Sequence, residues 1–135
     1  MEYMLLPRLL AVAEKAWAKE NEWEHLSDSL QQENAYLQSL KNFINTIGKR
    51  ELPRLDFYHN GFSYRIPPAG IKKENNFIIA NTLFSEFAIR YTTDGSEPNI
   101  HSKLYQTPIK EKGIIKLKVF DKKGNSSAVS QIENL

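Results

Sequence analysis

His25, His59 and His101 are the side chains best able to move a proton or hold a metal near neutral pH, yet they lie far apart along the chain and outside the usual spacing of zinc ligands. They are expected to be surface histidines. Asp94, Ser96, Glu97 and Asn99 bring oxygen ligands close together, as a calcium loop would, but no Asp-x-Asp-x-Asp-Gly register accompanies them and a plain turn is the better expectation. Glu33 and Glu51 have no carboxylate partner placed by spacing, so no acid and base pair is formed and both read as solvated helix residues. Arg8 and Glu14 sit among apolar neighbours, where an unpaired buried charge costs several kcal/mol, so each is expected to be buried and paired. The aromatics Phe57, Tyr58, Phe62, Tyr64, Phe84, Phe87, Tyr91 and Tyr105 invite a sugar-stacking reading, but core packing is the commoner use and only Phe57 and Tyr58 are left open. There is no cysteine, hence no disulfide, thiolate nucleophile or cysteine zinc site. No catalytic, cofactor-binding or metal-ligating residue is assigned, and no cofactor is expected.

The elements that would carry these residues fall into two kinds. The chain has 135 residues, 41% hydrophobic and 25% charged, with a net charge of +2, the size and composition of an ordinary globular domain. Basic and acidic residues are interleaved, so no basic stripe marks a nucleic-acid partner. The opening segment "EYMLLPRLLAVAEKAW" predicts a helix over 3–18 that is apolar nearly all the way round, a pattern that belongs inside protein or membrane. It is too short and too interrupted by charge to span a bilayer, and it lacks the order of a signal peptide. A second helix comes next, with Trp23, Leu26, Leu30, Leu37, Leu40, Ile44 and Ile47 on one stripe and Gly48 as its stop. Residues 49–61 read as a linker or short helical turn ended by Asn60 and Gly61.

From Phe62 onward strand-length runs alternate with turns: "NFIIAN", "EFAIRYTT", "GIIKLKVFD" and "NSSAVSQIE". Ile115, Leu117 and Val119 alternate with Lys116, Lys118 and Phe120, which predicts one buried face and one on which the lysines meet water. Ile89, Tyr91 and Val129 are expected to face inward with them. Gly95 and Gly124 sit in turns that need a positive φ, where Asp94 and Asn125 bond their own backbone. The expected fold class is α+β: two N-terminal helices over 1–60, then a small antiparallel β-sandwich of immunoglobulin or fibronectin type over 61–135.

Three segments resemble the family 20 glycoside hydrolases, the β-N-acetylhexosaminidases. Tyr3, Met4, Pro7, Arg8, Ala11, Ala13, Glu14 and Trp17 match the family's Tyr-Met-x-x-Pro-Arg-x-x-Ala-x-Ala-Glu-x-x-Trp segment at the last helix of its (β/α)₈ barrel. Residues 61–70, "GFSYRIPPAG", are similar to the segment that leaves the barrel, and residues 89–109 resemble the β-rich domain that closes many bacterial members. The resemblance implies a C-terminal fragment, with Met1 a start placed at a boundary and the catalytic barrel missing. It implies a periplasmic or extracellular parent that removes terminal β-linked N-acetylhexosamine with the substrate's own acetamide as nucleophile. The family's His-x-Gly-Gly-Asp-Glu stretch does not occur here, so the chain is expected to be inactive alone.

The implied role is to brace the barrel. The alternative is a β-sandwich that binds carbohydrate or protein independently, and a weaker one treats the second helix as a coiled-coil dimeriser, although its seam falls short of a sustained repeat. A barrel helix without its barrel is also expected to self-associate through residues 3–18 or to stay loosely packed.

Overall fold

A computed structural model describes residues 2–135, including all of their side chains except those of Glu2 and Met4. The chain divides into two units, one ending at Arg65 and the other beginning at Ile66.

The first unit is helical. α1, Glu2–Leu5, and α2, Arg8–Trp17, replace the single helix expected over 3–18. The break falls at Pro7, which has no N–H to donate back to the preceding turn and whose ring obstructs the carbonyl there. A 3₁₀ turn at Glu22–His25 precedes α3, Ser29–Thr46. Trp23 and Leu26 therefore lie before this helix. The Asp28 side chain accepts the Gln31 backbone N–H at 2.8 Å, and this cap fixes where the helix begins.

Gly48 does not stop α3. A π turn at Ile47–Glu51 carries the chain into α4, Leu52–Phe57, with Pro53 in the first turn. The extra residue in a π turn rotates α4 about the helix axis relative to α3, and Ile47, Gly48 and Leu52 are the residues buried there. His59, Asn60 and Gly61 then take φ of 50°, 66° and 97°, three left-handed residues that reverse the chain. The Phe62 N–H donates to the Leu55 carbonyl at 2.8 Å, and that of Arg65 to the Leu6 carbonyl at 3.0 Å. The returning segment thereby closes onto the break before α2.

The second unit holds two antiparallel sheets. β1, Gly70–Glu74, pairs with β2, Phe77–Asn81. The other sheet runs β4, Lys103–Leu104, then β3, Ala88–Thr92, then β5, Gly113–Phe120, then β6, Ser130–Asn134. β1 has no counterpart among the expected strands. Its hairpin turns on Asn75 and Asn76, at φ of 49° and 63°, the left-handed pair that a two-residue hairpin of matching twist requires. Ile78 and Ile109 exchange backbone hydrogen bonds at 2.9 Å, and the Ser130 hydroxyl donates to the Ala69 carbonyl at 2.7 Å.

The core obeys the period of two. Ile115, Leu117 and Val119 are fully buried, and Ile89 opposite Val119 is buried with them. Each such side chain contributes about 1.5 to 3 kcal/mol through burial. Tyr91, opposite Leu117, shares that face but is half-buried at its edge.

Three expectations fail here. Val129 is exposed, because Ser130 opposes Leu117 and Ile132 opposes Ile115, so the even-numbered residues of β6 face the core. Phe120 is buried rather than facing water, under the loop that returns through Ser126 to pair with it. Lys118 keeps only 15% of its side chain exposed, paired with Glu97.

Candidate docking surface

The side chains that could do chemistry do not gather. His25, His59 and His101 are all exposed and remain apart; His25 Nε2 lies 3.6 Å from a carboxylate oxygen of Glu20. Among the described residues no three of His, Asp or Glu are grouped to hold a metal ion. Arg8 and Glu14 are exposed, with no ion pair to either among the described residues, and this corrects the expectation that they are buried and paired. With no covering layer over α2, water solvates both charges and neither needs a partner. Glu33 is exposed, and Glu51 is half-buried between Arg50 and Arg54.

The loop holding Asp94 closes as a turn. Asp94 Oδ1 accepts the Ser96 N–H at 3.0 Å and the Ser96 hydroxyl at 2.6 Å, Gly95 takes φ of 77°, and those two bonds hold the Asp94 carboxyl below its usual range. In the second turn Gly124 takes φ of 87°, but Asp121 rather than Asn125 organises it, accepting the N–H groups of Lys123 and Asn125. Glu97 is likewise pulled down by the Lys118 ammonium, first by its hydrogen bond and then by its charge.

What the helical unit does present is apolar surface. Neither α2 nor α3 has a buried residue. Leu9, Val12 and Trp17 stand out from α2, with Trp17 88% exposed, and Leu5 from α1. Leu30, Leu37 and Leu40 form a second exposed row on α3, where a spacing of seven returns Leu37 to the line of Leu30. Phe57 and Tyr58 at the end of α4 are exposed as well, their rings edge to face with centroids 6.5 Å apart. Exposed aliphatic and aromatic rows of this kind mark surfaces that meet other protein. The row on α3 was visible in the sequence as a stripe; only its exposure was new. Among the described residues no helix is long and apolar enough to cross a membrane.

The second unit carries the family match. Residues 67–131 match the family model described as the chitobiase/beta-hexosaminidase C-terminal domain. The chain is similar to a beta-hexosaminidase of Vibrio vulnificus, 29% identical over 136 aligned residues that take in 86% of this chain and 15% of the relative. It is similar also to an N,N'-diacetylchitobiase of Vibrio harveyi, 35% identical over 102 residues, 70% of this chain and 11% of the relative. The chain thus spans only a small part of the length of these relatives. Residues 67–131, most of the second unit, are thus similar to the chitobiase/beta-hexosaminidase C-terminal domain.

Proposed function

We propose that the chain is the non-catalytic C-terminal region of a β-N-acetylhexosaminidase of family 20, and that its work is to brace the catalytic barrel. The parent enzyme would hydrolyse terminal, non-reducing β-linked N-acetylhexosamine residues. In this reading α1 and α2 are the last barrel helix, α3 and α4 bridge to the β unit, and the two sheets form a sandwich of immunoglobulin or fibronectin type. The observation that carries it is the exposure of Leu9, Val12, Trp17, Leu30 and Leu37 on helices with no buried residue. Such rows cost solubility unless a partner covers them, and the much longer relatives supply the kind of partner required. A β unit that bound sugar independently would display a row of exposed aromatics. Here Phe77, Phe84, Phe87, Tyr91, Tyr105 and Phe120 are all buried or half-buried.

The test is to produce the catalytic portion that this reading places upstream, alone and together with this chain. Bracing predicts that the two co-elute and that the melting temperature of the catalytic portion rises when the chain is added. Independent elution with an unchanged melting temperature would remove the reading.

A further inference from the structure

In the helical unit a cleft of about 660 Å³ opens between the end of α2, the 3₁₀ turn and α3, a volume within the range of ligand sites. Much of its polar wall is already engaged. The Gln38 amide donates to Asn42 Oδ1 at 3.0 Å, and the Asn21 amide donates to Glu24 Oε1 at 2.8 Å. Arg50, supplied to the lining by the π turn, pairs with Glu51, and Lys15 at the end of α2 lies 3.6 Å from Glu24. π turns interrupt a helix and concentrate at functional sites.

What the walls leave unanswered is acidic and aromatic. The carboxylates of Glu14 and Glu22 line the cleft with no hydrogen bond or ion pair among the described residues. Trp23 and Phe43 add two rings, the first held edge to face on Tyr36 with centroids 5.2 Å apart. The Trp23 indole N–H is buried without an acceptor.

From these groups we infer that the cleft receives an arginine side chain carried on a segment of another protein. Both nearby cations already have carboxylate partners, so the free charge of the walls is that of Glu14 and Glu22, which repels an anion and attracts a cation. A guanidinium suits this lining better than an ammonium, because its fork of N–H donors can meet two carboxylates while its plane stacks on an aromatic ring. A free guanidinium has no acceptor and leaves the Trp23 N–H unanswered, whereas the carbonyl groups of a peptide supply one. Leu9 and Val12, exposed on the same α2, mark this unit as a surface that meets protein.

The inference shares with the bracing reading only that a protein covers these helices, and its test uses this chain alone. The chain has two tryptophans, so a Trp17→Phe variant assigns the Trp23 indole signal in a ¹H–¹⁵N spectrum. The probe is the peptide acetyl-Gly-Arg-Gly-amide, with a neutral citrulline counterpart and a lysine counterpart, each raised to about 20 mM to reach a millimolar Kd. The expected result is a saturable shift of the Trp23 indole with the arginine peptide, a weaker one with lysine and none with citrulline. Glu14→Gln with Glu22→Gln, both at exposed positions, should weaken arginine binding roughly tenfold through the loss of two ion pairs, and Glu74→Gln in the β unit should leave it unchanged. Absence of a shift with the arginine peptide, equal binding of the citrulline or lysine peptide, or unaltered binding by the double variant would each overturn the inference. Co-elution with the catalytic portion decides the bracing reading separately, so either can fail without the other.

Discussion

The backbone N–H of Val119 donates to the hydroxyl oxygen of Ser127 at 3.0 Å, while the Ser127 N–H returns a bond to the Val119 carbonyl at 2.9 Å. Both residues are buried, and a side chain here completes a ladder that the backbone of the last strand, which starts at Ser130, does not reach. Ser127→Ala strands a buried donor, so it is expected to lower stability by about 1 to 3 kcal/mol, whereas Ser126→Ala, one residue away and exposed, should change little. Equal denaturant midpoints for the two variants would show that the hydroxyl is not needed.

The neighbouring positions 118 and 119 separate the two faces of β5. Val119→Asp puts a carboxylate at a position with no exposure and should unfold the β unit. Lys118→Gln keeps the stem that packs on the sheet and loses only the pair with the well-exposed Glu97, so it should leave the protein folded and its melt little changed. Circular dichroism melts of both variants check the register. A folded Val119→Asp protein would mean that another face is the core.

Acid should weaken the β unit through three carboxylates. Glu97 is depressed by Lys118, Asp94 by the Ser96 hydroxyl and N–H, and Glu111 by its own backbone N–H and by Lys103. A group whose folded pKa lies below its unfolded one contributes stability above the unfolded value and loses it as pH falls through the folded one. The loss is therefore expected as pH drops below about 4, the ordinary carboxylate range. Added salt should shrink the part that comes from the exposed Glu97 and Lys103 partners. Glu97→Gln should flatten the acid side of the stability curve, and an unaltered slope would show that the pair with Lys118 contributes nothing.

The purified chain should not release chromophore from a chromogenic β-N-acetylglucosaminide. The motif that supplies the general acid and the acetamide-orienting carboxylate in the resembled family is absent from the sequence. Turnover that persists after a further purification step, and that is lost on mutating a residue of this chain, would reverse this.

Period and turn chemistry made much of the β unit legible. Ile115, Leu117 and Val119 alternate cleanly, and Gly95 and Gly124 stand where left-handed residues are needed. Strand β1 was missed because "GIKKE" offers one aliphatic residue and two lysines, too weak an alternation to count, although Asn75 and Asn76 were a hairpin signal in plain view. The parity of β6 was misread because Ser127 is buried by a hydrogen bond, not by hydrophobicity, and a one-residue change of phase then sends Val129 outward. In the helical unit Gly48 looked like a stop, but a glycine stops a helix only where the chain turns left-handed, and here the π turn continues it.

The apolar rows on the helices give the prediction most open to refutation. Leu9 and Val12 project from α2, and Leu37 and Leu40 from α3, each at least a third exposed. Rows of this size on an isolated chain lower their free energy by meeting one another, and two copies offer the same rows to each other. The chain is therefore expected to self-associate, with a sedimentation coefficient that rises with concentration. Replacing Leu9 and Val12 by Glu should abolish this without unfolding the protein, because neither side chain is part of a core. A wild-type chain that stays monomeric to high concentration, with the amides of α2 strongly protected from hydrogen exchange, would mean that these rows are covered within one chain in solution, and the expectation would fall.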